Sequence, residues 1–328
     1  MTLLSLQDLS VVLDTPEGPA TVLDRVSFDL AAGESLGIVG ESGCGKSMTA
    51  LAVMGLLPDA ARCTGRIDFE GRDLLALDEQ ALCALRGRCI AMVFQEPMTA
   101  LNPVKSIGYQ VAEGLRWHLG LGRGEAAARA VKLLDRVGLP QPRFSPDLYP
   151  HQLSGGQRQR VVIAMALACD PALLIADEPT TALDVTSQAE ILALIAEVTA
   201  ASGMALMLIT HDLAVVWQNT AAMLVMYAGA VAERGTTAEV FARMAHPYTR
   251  GLLAASPGAL GDILPAGRRL ATIPGQVPDP QDRPTGCVFA ARCARAAADC
   301  LPRPPAERVL APGHAVACLH PHEEETVL

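Results

Sequence analysis

Apolar positions follow two rhythms along the chain. Residues 3–13 are apolar-rich and residues 21–30 alternate apolar with polar, which predicts two strands joined by the turn Thr15-Pro16-Glu17-Gly18. A second turn, Ala31-Ala32-Gly33-Glu34, leads into a short buried strand at 35–39. A glycine-rich loop follows, then a helix over about 46–57 that Pro58 stops. Residues 90–94 read as another buried strand, and 104–168 as mainly helical with breaks at 120–124 and 140–150. Strands at 172–176 and 205–210 enclose a helix at 186–201. Strands alternating with helices predict an α/β fold with a mostly parallel sheet, to which the opening pair adds an antiparallel piece.

Composition narrows the class. Half of the 328 residues are hydrophobic, enough for a large core. The net charge of −9 argues against a nucleic-acid partner, which needs a basic face. The first residues carry no basic segment and Asp8 interrupts the apolar run, so no signal peptide is read. The apolar stretches at 161–169 and 221–232 fall short of the ~20 residues a spanning helix needs, so a soluble chain that docks onto membrane subunits is expected. Composition shifts after Ser256, and 257–284 is rich in Pro and Gly. The expected division is a domain over 1–256 and a small extension over 257–328. An odd count of nine cysteines fits a reducing compartment rather than a disulfide framework.

Candidate chemistry begins at Gly40-Glu41-Ser42-Gly43-Cys44-Gly45-Lys46-Ser47, which matches G-x-x-x-x-G-K-S between a strand and a helix that continues through Met48. Glycines there let backbone N–H groups face phosphate oxygens, and the helix N-terminus favours an anion. Lys46 would reach the β- and γ-phosphates, and Ser47 would ligate Mg²⁺. The strand at 172–176 runs into Asp177 and Glu178. A strand end in an α/β sheet opens on the ligand crevice, so Asp177 suits Mg²⁺ and Glu178 suits the orientation or deprotonation of an attacking water. Leu153-Ser154-Gly155-Gly156-Gln157 opens a helix about twenty residues before Asp177; its bland alternative is a helix cap supplied by Ser154.

Taken in order, these motifs resemble the ABC ATPase family. The resemblance implies a P-loop ABC-ATPase fold with a helical subdomain at about 97–170. It also marks Gln95 as the Q-loop glutamine, a Mg²⁺ and nucleotide contact, Thr181-Ala182-Leu183-Asp184 as the D-loop, and His211 as the switch histidine at the γ-phosphate. It further implies that two such domains sandwich two ATP molecules, with Ser154, Gly155, Gly156 and Gln157 acting on nucleotide held mainly by the other. One departure is Leu13, which stands where family members usually place an adenine-stacking aromatic.

A narrower resemblance, to oligopeptide/dipeptide and nickel importer ATPases, rests on Phe94-Gln95-Glu96-Pro97-Met98-Thr99-Ala100-Leu101-Asn102-Pro103, on His246-Pro247-Tyr248-Thr249, and on the tail. It implies two permease subunits, a second ATPase subunit, an extracellular binding protein acting indirectly, and a peripheral place on the cytoplasmic face of the bacterial inner membrane. A P-loop kinase or GTPase is disfavoured by 153–157 and His211. A chromosome or repair ATPase is disfavoured by the lack of a long insertion between Lys46 and Asp177, and a non-hydrolysing relative by intact Lys46, Glu178 and His211.

The tail cysteines Cys287, Cys293, Cys300 and Cys318 are spaced C-x5-C-x6-C-x17-C. Four thiolates suit Zn²⁺ or an iron–sulfur cluster. Structural zinc sites usually pair ligands closely, and the wide spacing suits a larger centre. The importer extension carries a 4Fe–4S cluster in some members, so the resemblance implies a cluster, with Zn²⁺ or four unligated thiols as alternatives. Arg292, Arg295 and Arg303 are expected to offset the cluster's charge.

Overall fold

The alternation of the opening residues is realised as two long antiparallel strands. The structure, a computed structural model, describes residues 2–95, 100–181, 183–256 and 272–322. The expected linker therefore lies outside the described residues as far as 271, as do residues 96–99 of the Q-loop segment and Ala182 of the D-loop. The chain forms two units, Met1–Ala76 with Leu208–Leu328, and Leu77–Met207.

The first unit opens with β1 (Thr2–Thr15), β2 (Gly18–Ala31), β3 (Ser35–Val39), α1 (Lys46–Met54), β4 (Ala61–Phe69) and β5 (Arg72–Asp73). The second holds α2 (Glu79–Leu85), β6 (Ile90–Val93), α3 (Ile107–Leu119), α4 (Arg123–Arg136), α5 (Gly155–Ala166), β7 (Leu173–Asp177) and α6 (Val185–Ser202). Strand β8 (Ala205–Thr210) returns the chain to the first unit, which continues with α7 (Leu213–Asn219), β9 (Ala222–Tyr227), β10 (Ala230–Thr236), α8 (Thr237–Arg243), α9 (Pro247–Ala255), β11 (Arg308–Ala311) and β12 (His314–Val316).

In the first unit one antiparallel sheet runs β2-β1-β4-β5. Leu4, Leu6, Leu9 and Val11 of β1 are buried, and the register slips between Leu6 and Leu9, where Asp8 takes a left-handed φ of 48°. A second sheet contains the order β11-β12-β10-β9-β3. There β3 and β9 pair in parallel, while β10 pairs antiparallel with β9 and with β12, and β12 with β11, so the expected mostly parallel sheet is a mixed one in this unit. The cause is the apolar run at 221–232, which folds back on itself. Ala228 (φ 45°) and Gly229 (φ 78°) form a two-residue turn that joins β9 to β10. Helix α1 ends at Gly55, before Pro58: the glycine is left-handed (φ 62°) and its N–H caps α1.

In the second unit β7 is buried along its whole length, lies next to β6 and β8 in strand order, and pairs in parallel with β6. Helices α3, α4 and α5 pack on one another. Helix α4 buries Ala126, Ala130, Leu133 and Leu134, the i, i+4, i+7, i+8 stripe of a one-sided helix.

The tail is built into the first unit. Strand β12 pairs with β10, matching Glu233 to Val316 and Gly235 to His314. Phe289, 3% exposed, joins Tyr227 and Tyr248 with ring centroids 5.0 and 5.4 Å away, burial worth roughly 1.5–3 kcal/mol. Glu233 is fully buried, yet its carboxylate accepts from the N–H groups of Ala245 (2.8 Å) and His246 (2.9 Å) and pairs with His314 Nε2 (2.8 Å). A buried charge persists only with such partners.

His246 caps α9, its Nδ1 accepting from the Tyr248 N–H at 3.0 Å. Burial lowers its pKa to about 4, against the opposing pull of Glu233. Protonation would also break the cap bond. Because the native state refuses a proton that the unfolded chain accepts from about pH 6.5 downward, stability should fall as pH drops from ~6.5 to ~4, by up to ~3 kcal/mol. Thermal melts across that range should show the decline, and His246→Asn, which keeps a capping oxygen without a titrating ring, should flatten it.

Candidate nucleotide site

The loop between β3 and α1 is fixed by how closely it passes its neighbours. A Cβ on Gly40 would lie 2.2 Å from the Met226 carbonyl oxygen of β9. Gly45 is left-handed (φ 101°), and a Cβ there would meet Leu23 at 2.6 Å. Glycine is therefore required at both positions for the chain to turn into α1, whose N-terminus no side chain caps. Its first-turn N–H groups are the kind an anion satisfies.

Lys46 is 5% exposed and folds back across the loop, its Nζ donating to the carbonyls of Gly40 (2.8 Å) and Glu41 (3.0 Å). Burial raises the pKa of the Cys44 thiol, more than Lys46 lowers it, so no thiolate competes with a phosphate there. Ser42 and Gly43 are exposed, while Ser47 and Met48 are half-buried on the first turn of α1. These features fit a polyphosphate: a loop that needs glycine at two positions, an ammonium folded across it and an uncapped helix start. His211, also in the first unit, is exposed just beyond β8 and precedes Asp212, the cap of α7.

The second unit gathers a different set. Asp177 ends β7 at 5% exposure. Glu178, next in the chain, has a left-handed φ of 44°, a strain of order 1–3 kcal/mol for a residue with a side chain. One oxygen of Glu178 accepts both from Gln95 Nε2 (3.3 Å) and from the Thr181 hydroxyl (3.0 Å). A carboxyl ending a buried strand and one held on a fixed turn fit a divalent cation and a water.

Ser154 caps α5 by accepting from the Gln157 N–H (3.3 Å), while the Gln157 side chain accepts from the Ser154 N–H (2.9 Å). The bland alternative for 153–157 is thus present in the fold. It leaves room for more, because a hydroxyl that accepts still has a proton to donate. Gly155 and Gly156 lie against Leu183 and Ser187, where added Cβ atoms would sit at 3.3 and 3.4 Å. Asp184, from the same stretch, caps α6 through the Ser187 N–H (3.0 Å) and hydroxyl (2.7 Å). The Ser187 N–H, and after it the Ser187 hydroxyl, hold its carboxyl below the usual range. Leu13 is half-buried on β1, paired with Ala20 and Ala61.

The supporting role of three residues at this loop was not read from the sequence. The Tyr248 hydroxyl accepts from the Glu41 N–H at 2.8 Å, Arg292 pairs with the Glu41 carboxylate, and Tyr227 contacts Arg292. Arg292 therefore does not sit on the cysteines to balance their charge, because its guanidinium is spent on Glu41. The nearby Arg295 does line the cysteine cavity. Nothing local in the sequence marks these partners, although the segment 246–249 contains Tyr248.

Cys287, Cys293, Cys300 and Cys318 all line one small cavity, together with His320. All four are free thiols, and the Cys287 N–H donates to the Cys300 carbonyl at 2.8 Å. Ligand atoms of Asp299, Cys300 and His320 also lie within 4.8 Å of one another. Burial raises the Cys287 pKa and pushes that of Cys318 to about 11, so a metal must displace protons to bind there.

The fold and the glycine loop define a P-loop ATPase of ABC type with mixed α/β sheets. A family model for ABC transporters matches residues 23–181, and one for the oligopeptide/dipeptide transporter C-terminal region matches 232–300. The chain is 46% identical over 325 residues to the dipeptide transport ATP-binding protein DppD of Escherichia coli K12, covering 99% of this chain and 98% of that protein. It is 48% identical over 322 residues to the oligopeptide transport ATP-binding protein OppD of Salmonella typhimurium LT2, covering 98% and 95%. Among solved structures, the dimeric post-hydrolysis ATP-binding cassette MJ0796 bound to ADP and Pi has a TM-score of 0.64 at 28% identity, covering 71% of this chain and 98% of that one. The cbiO1 protein of Clostridium perfringens, part of the ABC transporter complex cbiONQ, has a TM-score of 0.63 at 30% identity, covering 73% and 90%. The chain belongs to the ABC transporter ATP-binding family, and as a member it binds and hydrolyses ATP with Mg²⁺.

Gly40→Ala should lower ATP affinity by about tenfold or more, since the added methyl must displace either the loop or β9. Titration with a fluorescent ATP analogue measures this, and wild-type affinity would contradict the close fit.

Proposed function

We propose that this chain is the ATP-hydrolysing subunit that energises import of di- or oligopeptides. What carries the reading is a full-length likeness of 46–48% to dipeptide and oligopeptide transport ATP-binding proteins, joined to a loop that fits a polyphosphate. In this reading it works with two permease subunits and a second ATPase subunit on the cytoplasmic face of the membrane, served by an extracellular binding protein. No described helix is long and apolar enough to cross a bilayer. Residues 1–256 form the ATPase domain, with a helical part at about 97–170, and 257–328 form the importer-type extension.

In that role Gly40–Ser47 and Met48 hold the phosphates, with Lys46 supplying the cation. Ser47, Asp177 and Gln95 would hold Mg²⁺, which would neutralise phosphate charge. Glu178 orients or deprotonates the attacking water; its contacts with Gln95 and Thr181 hold the carboxylate in place. His211 contacts the γ-phosphate. Ser154, Gly155, Gly156 and Gln157 act on nucleotide held by the partner ATPase. Dipeptide or oligopeptide, added with the binding protein to the full transporter in proteoliposomes, should stimulate ATP hydrolysis. Stimulation by Ni²⁺ and not by peptide would instead favour nickel as the solute.

Glu178→Gln should keep ATP affinity while lowering kcat by at least about a hundredfold, as loss of a base or water-positioning group does. Turnover at the wild-type rate would remove Glu178 from that role.

The tail cysteines are proposed to hold a 4Fe–4S cluster, with Zn²⁺ as the alternative. Supporting this, all four thiols line one cavity in a segment with little apolar core of its own. Anaerobic purification followed by iron, sulfide and zinc analysis should return four iron and four sulfide per chain. One zinc without iron would replace the cluster, and four titratable thiols with neither would remove the centre.

A further inference from the structure

Glu41, the second residue of the phosphate loop, is gripped at three points. Its N–H donates to the Tyr248 hydroxyl (2.8 Å), its carbonyl accepts from Lys46 Nζ (3.0 Å), and its carboxylate takes a two-pronged pair from Arg292 (2.6 and 3.0 Å). Arg292 comes from the tail, one residue before Cys293. Its side chain is 5% exposed. Every guanidinium donor is used: two contacts go to Glu41, one to the Tyr227 hydroxyl (3.3 Å), and the others to the carbonyls of Pro274 (2.8 Å) and Ile273 (3.2 Å).

We propose that Arg292 is a positioning residue for ATP binding, acting from the tail through Glu41 on the phosphate loop. The inference rests on the reading of residues 40–47 as the nucleotide site. Two physical effects combine. The bidentate pair fixes the loop residue whose carbonyl holds Lys46. It also neutralises a carboxylate that would otherwise stand beside a polyanionic ligand. Without Arg292, Glu41 is a partly buried, uncompensated negative charge on the loop, and both loop order and ligand charge balance suffer.

The test measures ATP affinity, turnover and melting temperature on the full chain. Arg292→Gln should weaken ATP binding by about tenfold or more, as loss of one partner from a buried charge pair does, with kcat at saturating ATP changed far less. Glu41→Gln should cost less, because it removes the repelling charge together with the pair. The Glu41→Gln/Arg292→Gln double variant should bind ATP more tightly than Arg292→Gln alone. Arg292→Lys, which keeps the charge and loses the fork, should fall between wild type and Arg292→Gln. If Arg292→Gln does not fold, Arg292→Lys and Glu41→Gln carry the comparison, and wild-type affinity in both overturns the proposal. Wild-type ATP affinity in folded Arg292→Gln, or a double variant no tighter than Arg292→Gln, also overturns it. Lys46→Ala separates the two readings. If it abolishes ATP binding while Arg292→Gln has no effect, the nucleotide site stands and the role of Arg292 falls. If neither has an effect, the site assignment falls as well.

Discussion

The ammonium of Lys46, turned back onto the carbonyls of Gly40 and Glu41, organises the first unit. A buried cation is costly unless its donors are met, so the loop must curl until its carbonyls reach the ammonium. That curl is possible because Gly40 passes within contact of β9 and Gly45 is left-handed at the start of α1. Strands β3 and β9 pair in parallel and set the floor on which this happens. Tyr248 and Arg292 also hold Glu41, one from α9 and one from the tail.

The second unit solves a different problem, fixing a carboxylate without burying it. Glu178 accepts a strained backbone, and Gln95 and Thr181 meet at one of its oxygens. In the same unit, residues proposed for nucleotide chemistry also shape the chain locally. Ser154 starts α5 and Asp184 starts α6, and the two starts pack together through Gly155, Gly156, Leu183 and Ser187. The capping and nucleotide readings of Ser154 are therefore compatible, one using its lone pairs and the other its proton.

Strands β3, β6, β7 and β8 were legible because each is a continuous apolar run between turn signals, as strands covered on both faces should be. The glycine loop was legible because its spacing is local. Strand β4 was not, since it is exposed through much of its length and carries Arg62 and Arg66 outward with little alternation to read. The end of α1 was misjudged because a left-handed glycine stops a helix sooner than a proline three residues on. Arg292 was visible as a charge beside cysteines, but its partner lies 251 residues away, and no periodicity encodes such a contact. The gathering of four cysteines round one cavity likewise needed the fold to bring Cys318 back to Cys287.

The pairing of β12 with β10 has a consequence for how the protein is made. Synthesis proceeds from the N-terminus, so β10 leaves the ribosome well before β12 exists. Until then β10 presents an open row of N–H and C=O groups, next to a Glu233 carboxylate that lacks its histidine. An edge of that kind invites pairing with other chains. The last strands thus act as a late seal, and a ribosome that stops short of His314 releases a product with an adhesive flank. Such truncated chains become natural substrates for chaperones and proteases, whereas in the finished chain β12 covers β10 and the edge passes to the four-residue β11, which carries Arg308.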